Sequence, residues 1–214
     1  MNIVTGVTVL TIDDKSKSFF CIFKLNNTQF ISGGNDCIKI YDTETGITIK
    51  ALNKFYLNAN ITCLLKLSSD IVIVANYLGQ LFYLSLITQQ KSMLEGHLDY
   101  VSCLIKFNDN KFVSGSWDKT IKIWDSQNCN RNHNISICLM TITCGHIFKI
   151  DKINKNEIVV ASSNRQLEIF NIYTGNKIKM FDFNQLFFTY VLKLNKYQII
   201  SGNSDNIVQI WDLF

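Results

Sequence analysis

The sequence predicts an all-β protein made of about five copies of one four-stranded unit. Short runs of alternating apolar and polar residues fill the chain, two motifs recur with a period of 40 to 46 residues, and no segment keeps a helical period. Hydrophobic residues make up 47% of the 214 residues and charged residues 18%, which is typical of a folded chain with a sizeable core. Nothing in the composition divides residues 1–214, so we expect a single domain.

The first recurring motif is the third strand of each copy. Its copies are NDCIKIYD at 35–42, LGQLFYL at 78–84, DKTIKIWD at 118–125, NRQLEIFN at 164–171 and DNIVQIWD at 205–212. Their matching large residues, spaced by 43, 40, 46 and 41 positions, are Tyr41, Leu84, Trp124, Phe170 and Trp211.

The second motif covers the first two strands of each copy. The first residues of its five copies are 42, 40, 46 and 41 positions apart. They are Cys21, Cys63, Cys103, Lys149 and Tyr190. A further run follows most copies, at 45–52, 134–142 and 174–181, and gives each copy a fourth strand. Two independent markers with nearly the same period define repeats at about 13–52, 53–92, 93–142, 143–181 and 182–214.

The third copy, EGHLDYVSCLIKFNDNKFVSGSWDKTIKIWDSQ at 95–127, resembles a WD40 repeat. Gly96-His97 and Trp124-Asp125 stand at the ends where that family has them. The resemblance is good in the first and fifth copies and weaker in the second and fourth. It implies a β-propeller with one blade per repeat. Because WD40 proteins usually carry seven blades, five copies leave three possibilities: a tight ring, an incomplete ring completed by an oligomer or a partner, and a shortened copy of a longer propeller.

The ends of the chain suggest how the last blade is completed. Residues 5–12, TGVTVLTI, resemble the outer strand TGITIKAL at 45–52, and the last copy stops after its third strand. We therefore expect the N-terminal strand 5–12 to close the last blade, which would remove exposed sheet edges.

Three residues of the third copy could be mistaken for catalytic groups. His97, Ser114 and Asp118 are the residue types of a hydrolase triad. Together with Trp124 they match the WD40 structural tetrad, and the resemblance implies buried, mutually hydrogen-bonded side chains without an open nucleophile. Other copies keep only part of the tetrad, so we expect the second and fourth blades to depend on apolar packing and to be less stable than the third.

The resemblance also indicates where a partner would bind. In WD40 proteins the top face is formed by the start of each first strand and the residue before the tight turn. In the third copy these positions are Tyr100, Ser102 and Trp117, and large aromatic residues at aligned positions elsewhere are Tyr77, Phe20, Phe148 and Phe187. Aromatic side chains are preferred interface anchors. For Phe20, Phe148 and Phe187, packing against neighbouring blades is the alternative.

Charge argues against nucleic acid as the partner. The net charge of +4 comes from dispersed lysines, and the two arginines are Arg131 and Arg165. We therefore predict a non-catalytic scaffold that binds other proteins. The alternatives are a propeller that binds an anionic ligand such as nucleic acid or a membrane surface, an enzyme with a site in the central channel, and a shortened, non-functional copy.

No motif indicates a cofactor or a metal. A glycine-rich phosphate loop, an HExxH motif and a CxxC pair are all missing from the sequence. Cys21, Cys63 and Cys103 share one repeat position and are expected to be core residues. The start is a poor signal peptide and the apolar runs are too short to cross a bilayer, which favours the cytoplasm, with the nucleus as the alternative. The Asn-rich stretch 126–134 is expected to be an exposed loop.

Overall fold

The computed structural model describes residues 10–12, 18–35, 37–52, 59–94, 96–126, 138–182 and 187–213. Within these ranges the chain forms 19 strands and no helix. The strands make five antiparallel sheets in which consecutive strands pair, so each sheet is one meander. The predicted all-β propeller architecture is confirmed.

Each sheet is one blade, and the strands are numbered in chain order. Blade 1 contains β1 (Phe19–Lys24), β2 (Gln29–Gly34), β3 (Ile38–Asp42) and β4 (Thr48–Leu52). Blade 2 contains β5 (Ile61–Lys66), β6 (Ile71–Asn76), β7 (Leu81–Ser85) and β8 (Lys91–Leu94). Blade 3 contains β9 (Val101–Asn108), β10 (Lys111–Ser116), β11 (Thr120–Asp125) and β12 (Cys138–Thr143). Blade 4 contains β13 (Ile147–Lys152), β14 (Glu157–Ser162), β15 (Gln166–Asn171) and β16 (Lys177–Asp182). Blade 5 contains β17 (Phe188–Lys193), β18 (Gln198–Asn203) and β19 (Val208–Asp212).

The hydrophobic core lies between the blades. We call the side of a blade that faces the preceding blade its leading face and the other side its trailing face. Ile38 and Ile40 on the trailing face of blade 1 pack with Leu64 and Val72 on the leading face of blade 2. The same alternation fills the spaces between blades 2 and 3, 3 and 4, and 4 and 5. Both faces of a middle blade are therefore apolar, which explains why strands such as β6 are buried at every residue.

The five blades form an open arc. The inner strands pack in succession, β1 on β5, β5 on β9, β9 on β13 and β13 on β17. Among the described residues, no packing of similar extent joins β17 to β1. The trailing face of blade 5 and the leading face of blade 1 are consequently the two ends of the arc.

Part of the predicted N-terminal strand can be compared with the structure. Residues 5–9 lie outside the described ranges, and Leu10–Ile12 belong to no strand. Pairing of this segment with blade 5 therefore stays a prediction. Of the predicted Asn-rich loop 126–134, only Ser126 is described, and its hydroxyl donates to the carbonyl of Asp109 at 2.7 Å.

Candidate functional site

The four tetrad residues of blade 3 form one hydrogen-bonded chain. His97 Nε2 lies 2.7 Å from Ser114 Oγ, and His97 Nδ1 lies 2.8 Å from Asp118 Oδ2. Trp124 Nε1 donates to Ser114 Oγ at 2.8 Å. The chain links the loop before β9, strand β10, the tight turn and strand β11, so it fastens all parts of the blade.

The donors and acceptors of this chain follow from chemistry. Because the indole N–H can only donate, Ser114 Oγ accepts a hydrogen bond from Trp124 Nε1. The Ser114 hydroxyl then donates its own hydrogen bond to His97 Nε2. His97 Nδ1–H then donates to Asp118. Burial alone would raise the pKa of Asp118, but hydrogen bonds from His97, Thr120 and the Leu98 N–H outweigh it and lower the pKa. Ser114 is fully buried, so this Ser-His-Asp set has no nucleophile open to a substrate.

Blades 1 and 5 keep only parts of the tetrad. In blade 5, Trp211 Nε1 donates to Ser201 Oγ at 2.8 Å. In blade 1, Ser32 is buried, its hydroxyl has no hydrogen-bond partner among the described residues, and the residue at the tryptophan position is Tyr41. Asp36, at the position that matches Asp118, and Asn184, at the position that matches His97, lie outside the described ranges.

Blade 4 contains a polar cluster that the sequence analysis missed. Glu168 is buried on β15, and its Oε2 accepts from Cys144 Sγ at 2.8 Å and from Asn164 Nδ2 at 3.2 Å. Lys177 forms an ion pair with Oε1. Burial would raise the pKa of Glu168, but the bonds from Cys144, Lys177 and Asn164 lower it. Blade 4 has the expected apolar packing on both faces, and in addition it carries a paired carboxylate that the sequence analysis did not predict.

The candidate top face has the same backbone frame in every blade. The N–H of the residue before the tight turn donates to the carbonyl of the residue that precedes the first strand. In blade 3 the bond joins Trp117 N to Tyr100 O at 2.9 Å, and in blade 4 it joins Ser163 N to His146 O at 2.9 Å. His146 therefore has in blade 4 the position that Tyr100 has in blade 3. The corresponding pairs in blades 1, 2 and 5 are Asn35 with Ser18, Tyr77 with Asn60, and Ser204 with Phe187.

One residue near the start of each first strand is bulged out of the pairing register. The register shifts by one residue between Ile61 and Cys63, and shifts likewise at the start of the other four inner strands. The unpaired residues are Phe20, Thr62, Ser102, Phe148 and Thr189. Bulges redirect side chains and are common beside functional sites. All five coincide with positions that the family resemblance assigns to the top face.

Four rings from three blades form a continuous row on this face. Tyr77 and Tyr100 have ring centroids 5.5 Å apart, Tyr100 and Trp117 5.1 Å, and Trp117 and His146 6.4 Å. We call Tyr77, Tyr100, Trp117 and His146 the aromatic row. His146 Nδ1–H also donates to the carbonyl of Trp117, which fixes the imidazole beside the indole. Tyr77 and Trp117 remain 55% and 41% exposed, so the row presents ring surface to solvent.

The other predicted face residues are placed differently. Ser102 Oγ lies 2.6 Å from the carbonyl of Ile147 and 3.1 Å from that of Gly115, so it ties blade 3 to blade 4. Phe187 stacks under the guanidinium of Arg165 at 4.7 Å, away from the row. Phe148 is half-buried and Phe20 is exposed, and neither makes a ring contact with the row. Of the seven predicted residues, the structure brings together Tyr77, Tyr100 and Trp117, and it adds His146.

Two other chemistries have little support in the described part of the chain. No group of three or more His, Cys, Asp or Glu side chains there could hold a metal ion. Three lysines, Lys179, Lys193 and Lys196, line a cleft between blades 4 and 5. Lys179 there donates to the carbonyl of Leu213 at 3.1 Å, and Glu157 shares the lining. No helix in the described ranges is long and apolar enough to cross a membrane.

Comparison with known proteins agrees with the repeat and the fold. Residues 88–125 match the family described as "WD domain, G-beta repeat". The chain is 26% identical over 198 residues to autophagy-related protein 16 of Arabidopsis thaliana, covering 89% of this chain and 37% of that protein. It is 36% identical over 75 residues to the spindle assembly checkpoint protein bub3 of Schizosaccharomyces pombe, covering 35% of this chain and 23% of that protein.

A solved structure of U3-55K superposes on nearly the whole arc. Its TM-score is 0.77 at 17% identity, and the match covers 94% of this chain and 63% of that one. The chain therefore spans well under half of these two curated relatives and less than two thirds of the solved structure. Five meander blades packed face to face, with a His-Ser-Asp-Trp tetrad in the middle one, define a propeller-type repeat protein. Residues 88–125 are a WD40 repeat, and the five blades have the propeller fold that such repeats form.

Proposed function

We propose that this chain is a non-catalytic scaffold that binds a protein segment across the aromatic row. The observation that carries the proposal is the continuity of four ring side chains over three blades, with Trp117 at 41% exposure and Tyr77 at 55%. Aromatic side chains bury a large area at a small cost in conformational entropy, so a preformed row of them is a favourable anchor.

The chemistry of the row indicates the kind of segment that would bind. The row offers ring faces and a neutral phenol, since burial raises the pKa of Tyr100 and keeps its hydroxyl protonated. Apolar or aromatic side chains of a partner would pack on Trp117, and polar groups of the partner would reach the Tyr100 hydroxyl. WD40 relatives are in general protein-interaction scaffolds, which agrees with this use of the surface.

Binding of an anionic ligand is the weaker alternative. The cleft between blades 4 and 5 gathers three lysines, but one is bound to a backbone carbonyl and a glutamate shares the lining. A nucleic-acid or membrane-surface site would need a continuous basic face and would bind more weakly as salt increases. Ser114 does not serve as the nucleophile of an enzyme site, because its hydroxyl is engaged on both sides.

The test removes Trp117, the more exposed of the two rings in the middle of the row. We expect Trp117→Ala to reduce recovery of specific partners from cell extract by about tenfold or more, since hot-spot tryptophans contribute about 2 kcal/mol or more. The melting temperature should change by only a few degrees, because Trp117 is not in the tetrad. Capture followed by mass spectrometry, with differential scanning fluorimetry of the same samples, measures both quantities.

The matched control is an exposed aromatic residue at the opposite edge of the sheets. Tyr173 lies in the turn between β15 and β16 and is 49% exposed. Tyr173→Ala should leave the set of captured proteins unchanged. Unaltered capture by Trp117→Ala together with a large drop in melting temperature would overturn the proposal, since the indole would then be a packing residue.

A further inference from the structure

The trailing face of blade 5 exposes residues whose counterparts are buried in every other blade. Val208 and Ile210 on β19 are 70% and 58% exposed. At the matching positions, Ile38, Leu81, Ile121 and Leu167 are fully buried, and Ile40, Tyr83, Ile123 and Ile169 are at most 7% exposed. Leu194 adds 49% to the same face, against 6% for its counterpart Leu25 and 1% for Phe107, and Leu192 beside it is 41% exposed. A contiguous apolar sheet face of this kind marks an interaction site.

Glycine at one position shows how closely a following blade would approach. A Cβ at Gly33 would lie 2.6 Å from Ile61 Cγ2 of blade 2, and one at Gly115 would lie 2.5 Å from Ile147 Cγ2 of blade 4. The matching residue of blade 5 is Gly202, and nothing lies within 4 Å of a Cβ there. Blade 5 thus has the shape that receives a large side chain from the start of a next inner strand. Blade 1 carries Phe19 at that place.

The leading face of blade 1 is the complementary surface. Ile22 is 69% exposed, whereas its counterparts Leu64, Ile150 and Val191 are 6%, 1% and 0% exposed against the preceding blade. Like the trailing face of blade 5, this face has no neighbouring blade packed on it in the described part of the chain. Its residues occupy the same repeat positions that fill the interfaces between the other blades.

A lysine on this face lacks the carbonyl that three equivalent lysines have. Lys66, Lys106 and Lys152 each donate Nζ to the carbonyl at the end of the preceding blade's inner strand, on Leu25, Leu67 and Phe107 respectively. The distances for Lys106 and Lys152 are 2.9 and 2.6 Å. In the portion of the chain that is described, the exposed Lys24 makes no such bond. The carbonyl at the matching place in blade 5 is that of Leu194, while Lys193 departs from the pattern and donates its backbone N–H to Asp151.

Leu10 and Ile12 lie in front of blade 1, at the place of an outer strand. A Cβ at Gly46 would lie 2.9 Å from Ile12 Cγ1 and 3.0 Å from Leu10 Cδ2. Gly175, at the same turn of blade 4, has Met140 and Ile142 of the preceding blade's outer strand as its neighbours. The side chains that precede this turn in blade 4 belong to an outer strand, and in the described part of the chain β17 of blade 5 makes no extensive packing contact with β1.

We propose that blade 5 of a second copy of this chain occupies the place in front of blade 1. In this head-to-tail contact the trailing face of blade 5 packs on Ile22, Gly202 receives Phe19, and Lys24 Nζ donates to the carbonyl of Leu194. A second copy is the occupant that already carries the matching residues at matching repeat positions, and blade 5 has three strands in the described part of the chain, as the vacant place requires. The contact is heterologous and joins unlike faces of identical chains.

The test blocks one face at a time and then mixes the two blocked chains. Val208→Lys disables the trailing face of blade 5, and Ile22→Lys disables the leading face of blade 1. We expect the unmodified chain to increase in mass with concentration in light scattering after size exclusion, and each variant alone to stay monomeric. An equimolar mixture should form a heterodimer, because each variant keeps the face that the other has lost.

Controls separate the contact from general effects of added charge. Ile49→Lys, on the exposed outer strand β4, should assemble like the unmodified chain. Lys24→Met should weaken assembly by roughly tenfold, the expected loss for one hydrogen bond from a charged group. Circular dichroism verifies that every variant remains folded.

Three outcomes would overturn the proposal. If the unmodified chain stays monomeric at every concentration, the two end faces of the arc either meet within one molecule or stay open. Continued assembly of Ile22→Lys alone would mean that two blade 5 faces meet across a two-fold axis. A mixture that remains monomeric would mean that the two faces do not recognise each other.

Discussion

The serine of the second strand has three different surroundings in this molecule. Ser114 is buried between two partners, the indole N–H of Trp124 and the imidazole of His97. Ser201 has one partner, Trp211. Ser32 is buried, and within the part of the chain that the structure describes its hydroxyl has no hydrogen-bond partner. Among the described residues, the serine hydroxyl at this repeat position therefore makes two hydrogen bonds in blade 3, one in blade 5 and none in blade 1.

Alanine substitution should give a graded loss of stability in that order. Ser114→Ala leaves two buried polar groups without partners and should lower the free energy of unfolding by about 2–4 kcal/mol. Ser201→Ala should cost about 1–2 kcal/mol, and Ser32→Ala should lie within about 0.5 kcal/mol of the unmodified chain. Urea denaturation at low protein concentration measures all three. Equal losses at the three positions would show that packing of the Cβ region, and not the hydrogen bonds, determines the cost.

At this scale the sequence predicted residues that recur in a motif and missed those that do not. The tetrad and the positions of Tyr100 and Trp117 follow from the third repeat, where spacing and residue type agree. Glu168 was missed because its counterparts Lys122 and Gln209 are polar, so a charged residue there gives no sign of burial. The inter-blade role of Lys66, Lys106 and Lys152 was missed although they recur, because a lysine ending a strand is ordinarily solvated.

The blades differ in how their strands are protected. The third strand of blade 3, β11, alternates buried residues with half-buried ones, whereas β19 of blade 5 alternates exposed with half-buried residues. Blade 3 also has its complete tetrad and a neighbour on each face. Local opening costs least where few apolar contacts and hydrogen bonds are broken.

We therefore expect a ranking of amide hydrogen exchange by blade. Peptides from β10 and β11 should exchange slowest, and peptides from β18 and β19 should exchange fastest among the strands. Blade 4 should be slower than blade 5, because the Glu168 cluster and both neighbouring blades support it. Exchange followed by mass spectrometry at low concentration tests this order. Uniform exchange of all blades would mean that the arc opens only as one cooperative unit.

The strands could be predicted because each is a short run of alternating apolar and polar residues that ends at a turn containing Asn, Asp or Gly. Pairing of the last blade with residues 5–12 was a weaker inference, because similarity between TGVTVLTI and TGITIKAL reports an outer-strand pattern and does not say which blade that strand joins. The position of Leu10 and Ile12 beside Gly46 places them by blade 1. Ring closure depends on the angle between blades, and no sequence pattern along single strands encodes that angle.

Across the whole molecule, buried thiols join the blades. Cys21 Sγ lies 3.9 Å from the carbonyl of Ile61, and Cys63 Sγ lies 3.7 Å from that of Val101, each in the next blade. Burial raises the pKa of Cys21 from 9.0 to about 12, and burial and the adjacent Glu168 raise that of Cys144 to about 12. Burial raises the pKa of Cys63 and Cys103 in the same direction. These thiols are therefore protonated and poorly reactive at neutral pH.

The raised pKa values predict that stability falls in alkali. Between pH 9 and 12 the unfolded chain ionises Cys21 while the folded chain keeps it protonated, so the unfolded state binds fewer protons and gains relative stability as pH rises. Cys21→Ala should be less stable than the unmodified chain at pH 7.5, and the gap should narrow towards pH 10.5 because the ionising group is gone. Ile31→Val, in the same blade, removes a buried methylene without a titratable group, so its gap should stay constant over that range. Urea denaturation at several pH values measures both gaps, and a constant gap for Cys21→Ala would mean that the thiol ionises as readily in the folded blade as in the unfolded chain.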